Sequence, residues 1–112
     1  MAGTRHNRGK LRWSLLDYES IEQMLEVLEK GADQYGEKNW QGGLHREEIL
    51  ESAQRHLTAL MKGEEIDQDQ RFKTYHAANL MVNCMFYLYH HRNKSFSKKR
   101  SNPFKQIKNK NK

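Results

Sequence analysis

YHAANLMVNCMFYLYHH, residues 75–91, has almost no side left for solvent. Leu80, Met81, Val82, Cys84, Met85, Phe86, Leu88 and Tyr89 fall all around a helical wheel, so a helix here is expected to be buried nearly all round. His76, Asn79, Asn83, Tyr87 and His90 recur at i, i+3, i+7, i+11 and i+14, and at roughly 100° per residue they form one narrow stripe. Carboxamides and an imidazole inside an apolar helix cost about 1–3 kcal/mol each if left unpaired. Either neighbouring helices satisfy these groups, or they line a polar pocket. The single cysteine, Cys84, is expected on this helix as a small buried hydrophobe.

Two helices precede this one. In the first, Ile21, Met24, Leu25, Leu28, Ala32 and Tyr35 follow the helical template, Asp17 or Ser20 can cap the start, and Gly36 stands where a C-cap belongs. Its glutamates, Glu19, Glu22, Glu26 and Glu29, read as a solvated face. The second helix is expected over residues 44–62, with Gly63 as its stop and Ile49, Leu50, Ala53, Leu57, Leu60 and Met61 as its apolar face. His56 lies at the margin of that face, while Glu48, Glu51 and Arg55 project from the other side. Between these helices the loop GEKNWQGG carries Trp40, either a plug for the bundle or a flat wall suited to a nucleobase.

The connection 63–74, GEEIDQDQRFKT, packs Glu64, Glu65, Asp67 and Asp69 into a few residues. Carboxylates so close repel one another unless a cation relieves them or solvent screens them, so the segment is either a divalent-metal loop or a solvated acidic loop. At the other end, residues 93–112 carry eight Lys/Arg and no acid, leaving twelve bases against fourteen acids in residues 1–92. The +6 net charge therefore belongs to the tail. The tail is expected to be disordered, with weak, salt-sensitive nucleic-acid contact as its functional reading. A lone cysteine excludes a disulfide framework, no apolar run reaches membrane-span length, and the N-terminus has no signal-like segment. A cytoplasmic location is the expectation, in the host cytoplasm if the chain is phage-encoded, with no membrane partner.

The order of short motifs carries a further signal. Asn7-x-Gly-Lys10, then Gly31-Ala-x-x-Tyr35-Gly-x-x-Asn39-Trp40, Arg55-His56, Gly63-Glu64-x-x-Asp67-x-Asp69 and His76-x-x-Asn79-x-x-x-Asn83 follow one another along the chain. In this order they resemble the phage dATP/dGTP diphosphohydrolase-type proteins, grouped near the all-α MazG-like nucleoside triphosphate pyrophosphohydrolases. The likeness covers about residues 5–90. It implies hydrolysis of a purine deoxynucleoside triphosphate to monophosphate and pyrophosphate, assisted by Mg2+ or Mn2+. The matching positions are Lys10, Tyr35, Asn39, Trp40, Arg55, His56, Glu64, Asp67, His76 and Asn83. Departures are Gln34 where the family often has lysine, Asn79 where it often has a second histidine, and no glycine near Arg71.

By the chemistry of their side chains His56, His76 and Arg55 are candidates for catalysis and Glu64 and Asp67 for the metal. Lys10, Tyr35, Asn39, Trp40, Asn79 and Asn83 are candidates for the substrate. Glu47-Glu48-x-x-Glu51 followed by Glu64-x-x-Asp67 also reproduces the acidic metal pattern of MazG-like enzymes, although Gly63 is expected to end the helix before Glu64. The expected architecture is all-α: a bundle of three main helices in residues 1–92, completed by oligomerisation, followed by the basic tail. The rival functions are a non-catalytic nucleotide- or host-protein-binding phage protein on the same scaffold, and a small nucleic-acid-binding protein acting through the tail.

Overall fold

A computed structural model describes residues 3–6, 8–68 and 73–101. Helices α1 (Tyr18–Tyr35), α2 (Arg46–Met61) and α3 (His76–Asn93) account for most of them, with short 3-10 turns at Trp13–Leu15 and Asn39–Gly42. No extended strand occurs among the described residues, only two isolated bridges, His45 with Ser97 and Ile66 with Tyr75. The chain is all-helical, as its periodicity requires. Among the described residues no helix is long and apolar enough to cross a membrane.

Each helix starts and stops for a local reason. Asp17 caps α1: its carboxylate accepts from the Ser20 amide at 3.3 Å and from the Ser20 hydroxyl. Gly36 ends α1 at φ 97°, donating to the Ala32 carbonyl at 2.8 Å. After α2 the chain turns at Gly63 (φ 90°), whose amide reaches the Leu60 carbonyl at 2.9 Å while the Glu64 amide reaches Ala59 at 2.9 Å. That pair of bonds is a Schellman ending, which favours a glycine in the left-handed position. α3 ends in the same way, with the Ser95 amide on the His90 carbonyl at 2.9 Å, but there Lys94 takes the left-handed position at φ 53°.

α3 is the hub, packed against α2, α1 and the Asn39–Gly42 turn. Among the described residues, Ile49, Ala78 and Val82 are the fully buried hydrophobes, whereas His56, Asp67, Thr74, His76, Asn79, Asn83 and His90 are buried polar groups. An interior with more buried polar than apolar side chains is unlike an ordinary core and points to a site. The expectation that α3 is buried all round is corrected. Cys84 is exposed, and so is Leu88, at 67%. Two partner helices cover part of a helix's circumference, and Cys84 and Leu88 lie on the part they leave open.

α3 runs to Asn93, and residues 95–101 return across the start of α2 as a strap. The Ser97 amide donates to the Leu44 carbonyl at 2.8 Å, and Arg100 pairs with Glu51 at 2.9 Å and Glu47 at 3.5 Å. The Ser101 amide and hydroxyl both donate to Glu48, at 2.7 and 2.8 Å. The remainder of the basic tail, from residue 102, lies outside the described residues.

Candidate functional site

The acidic connection folds back on itself, and this assembles the site. The Asp67 amide donates to the Thr74 carbonyl and the His76 amide to the Glu65 carbonyl, both at 2.9 Å, on either side of the Ile66–Tyr75 bridge. Asp67 and the first residue of α3 are thus pinned side by side; residues 69–72 between them lie outside the described residues. α2 brings His56 to the same point. His56 Nδ1 and His76 Nδ1 are 2.8 Å apart, and the Asp67 carboxylate stands 4.0 Å from His56 Nδ1. One ligand atom from each of the three residues lies within 4.8 Å of the others, and all three residues are buried.

The electrostatics follow from that packing. Two imidazole Nδ1 atoms at hydrogen-bond distance require one to carry hydrogen and the other a lone pair, so both rings cannot be charged there. Burial, and then His76, push the His56 pKa below its ordinary value, with Asp67 pulling the other way. Glu64 sits at the rim. Its carboxylate is 3.2 Å from His76 Nε2, out of line for a hydrogen bond, and accepts from the Gln68 amide at 3.3 Å. Those two neighbours, His76 first, hold its pKa below the usual carboxylate range.

His56 also faces a cleft of about 650 Å³ between α1, α2 and α3. Tyr35 from the end of α1, Asn39 and Trp40 from the loop, Arg55 and His56 from α2, and Asn79 and Asn83 from α3 all line it. The structure therefore gathers seven of the eleven expected site residues around one space. His76, Asp67 and Glu64 adjoin it behind His56. Lys10 is exposed on the N-terminal arm and is not among the lining residues, so the structure does not place it in the site; Asn7 of the same motif lies outside the described residues.

The polar stripe of α3 divides its labour. Asn83 donates to Ser52 Oγ and to the Asn79 carbonyl, both at 3.1 Å, and Asn79 donates to Thr74 Oγ1 at 2.7 Å and to the Tyr75 carbonyl at 2.8 Å. Both amides are anchored structurally and still line the cleft. Tyr87 instead accepts from Arg46 Nε at 3.2 Å. His90, with no exposed surface, places Nε2 2.8 Å from the Trp40 carbonyl and Nδ1 2.7 Å from Ser95 Oγ. A carbonyl only accepts, so Nε2 carries the hydrogen and His90 is a strut that holds the Trp40 loop to α3.

Glu48 and Glu51 line the cleft together with Arg55 and His56, contrary to the wheel-based expectation that they face away. On α2 Glu48 and His56 are separated by roughly 80° of rotation, and a wide cleft spans that arc. Ser52, Phe86 and Arg100 are lining residues that the motifs missed. Ser52 was within reach of a wheel, four residues before His56. Arg100 was not, because its place depends on contacts with residues some fifty positions earlier.

Comparison with known proteins places the chain in a family. A family model described as dATP/dGTP diphosphohydrolase, N-terminal, matches residues 1–100. The chain belongs to that family. A Salmonella phage PMBT28 protein named dATP/dGTP diphosphohydrolase is 36% identical over 86 residues, 77% of this chain and 29% of that protein. The family member described here thus spans under a third of that relative's length. No solved structure matches it significantly.

Proposed function

We propose that the cleft binds a purine deoxynucleoside triphosphate and that the chain takes part in its hydrolysis to the monophosphate and pyrophosphate. The observation that carries this reading is the convergence of residues from three segments on a single cleft beside the His56–His76–Asp67 cluster. Its volume suits a small ligand. Trp40, stacked on Phe86 with ring centroids 5.0 Å apart, supplies an aromatic wall for a base. Both amide hydrogens of Asn83 are engaged, so its carboxamide oxygen is left to accept from an exocyclic amine, which adenine and guanine both carry. Arg55 is the cation for phosphate oxygens beside His56. Magnesium or manganese, the ions the resemblance implies, would be held by Asp67 with Glu64 next to it, and such an ion supplies charge neutralisation and a more acidic water.

The test is a panel of dNTPs and NTPs with Mg2+ or Mn2+, with products separated by chromatography. Purine deoxynucleotides should yield monophosphate and pyrophosphate. Arg55→Ala should lower kcat/KM by about ten- to a hundredfold, the range for a charge-assisted contact. Asn83→Ala should narrow the preference for bases with an exocyclic amine over thymine, which has none. A second reading, nucleotide binding without turnover by these residues alone, draws on the 29% share of the relative that is aligned. Binding without product from any triphosphate would favour that reading; no binding would sink both. We also propose that the chain is a homo-oligomer, for the exposed apolar residues of α2 and α3 support it.

A further inference from the structure

We propose that His56, His76 and Asp67 form a transition-metal site, two imidazoles and one carboxylate, that takes a first-row ion such as Zn2+, Co2+ or Mn2+ in preference to Mg2+. The assignment stands whether or not the chain hydrolyses a nucleotide.

The argument starts from what is buried. His56, His76 and Asp67 are each more than nine-tenths out of solvent, at 7%, 5% and 7% exposure. Structural histidines at that depth ordinarily bond both ring nitrogens to protein groups, as His90 does. His76 has no such second anchor: its Nδ1 meets only the Nδ1 of another imidazole, while its Nε2 faces the Glu64 carboxylate at 3.2 Å out of hydrogen-bond geometry. Two nitrogens presented to each other at 2.8 Å would part by a few tenths of an ångström to reach the roughly 3–3.4 Å between neighbouring donors on an ion with bonds of about 2.1 Å. Asp67, now 4.0 Å from His56, would close by about 1 Å to complete the set. Asp67 is held beside His76 through its backbone bond to Thr74, so a turn of the side chain about a fixed main chain would complete the set.

Donor chemistry then selects the ion. Magnesium demands oxygen ligands and keeps its waters, and a site with two imidazoles offers it one carboxylate. Imidazole nitrogen suits zinc and the other late first-row ions, and affinity is expected to be weakest for manganese and to rise through cobalt. Three protein ligands leave coordination positions open for water or an oxyanion, the arrangement of a reactive ion and not of a closed structural one. His56 is the member that also lines the cleft, so the open side is next to it.

The experiment uses the full chain, stripped with chelator, and needs no activity. Thermal unfolding is followed with Zn2+, Co2+, Mn2+ or Mg2+ at equal concentration, alongside the visible spectrum of the Co2+ titration. Saturating Zn2+ or Co2+ should raise Tm by about 5 °C or more, and Mg2+ should have little effect. His76→Gln and Asp67→Asn should each abolish the shift, while Glu19→Gln, at an exposed carboxylate of α1, should leave it intact. Because either variant could fail to fold, a second measurement uses the unaltered protein. Substoichiometric Mn2+ should broaden the ring-proton NMR signals of His56 and His76 before those of His6 and His91. An equal shift with Mg2+, unchanged binding in both variants, or unaffected His56 and His76 signals would each overturn the site. A protein that binds the ion as described but cleaves no triphosphate keeps the site and loses the hydrolytic reading.

Discussion

His56 is the residue on which most of the local chemistry meets, and its protonation has a measurable consequence. Its pKa is lowered in the fold by burial and by His76. An unfolded chain therefore takes up a proton at His56 at a pH where the folded chain does not, and stability rises with pH across that window. The contribution is whole above the ordinary value of 6.5 and is lost as pH falls through the lower folded value. In chelator, Tm should fall on acidification below about pH 6.5, and His56→Gln should make that fall shallower by about one proton at most. An identical slope in the variant would show that His56 does not titrate with folding.

At the scale of elements, what the sequence discloses depends on whether the cause is local. Gly36 and Gly63 mark helix ends because glycine tolerates positive φ, and Asp17 marks a start because a carboxylate satisfies free amides; all three are readable one turn at a time. The end of α3 has the same geometry, yet Lys94 occupies the left-handed position and gives no signal. The strap is equally silent, for its bonds join Ser97 to Leu44 and Arg100 to Glu51. Cys84 and Leu88 misled for a related reason, since apolar periodicity says that a face wants cover without saying whether one chain provides it. The cleft was legible as a set of residues but not as a shape. A prediction follows for Lys94. Replacing it with glycine should relieve left-handed strain and stabilise the fold by about 0.5–1 kcal/mol, seen as a higher urea midpoint at unchanged m. A lower midpoint would mean that Lys94 makes a compensating contact.

For the whole molecule the small apolar core is the governing fact. Ile49, Ala78 and Val82 are a thin interior for a chain of this size, while Met61 is 80% exposed and Leu57 and Leu88 are exposed as well. Apolar faces left open on two helices of a monomer are expected to be covered by another copy. Light scattering or sedimentation should accordingly give a mass that is a multiple of 13.4 kDa. Leu57→Lys combined with Leu88→Lys should shift it towards the monomer while the helical circular dichroism is retained. A monomer at tens of micromolar in the unaltered protein would dismiss the idea.

The strut beneath the loop has an optical corollary. Trp40 is wedged between Phe86, the edge of Tyr89 (centroids 4.8 Å apart) and His90, with one side on the cleft, whereas Trp13 stands 68% exposed. These are the two tryptophans of the chain. An aqueous quencher silences Trp13 first, so the emission that survives belongs to an indole against which an incoming base would lie. The protein thus carries its own fluorophore at the cleft, and occupancy can be followed without a label.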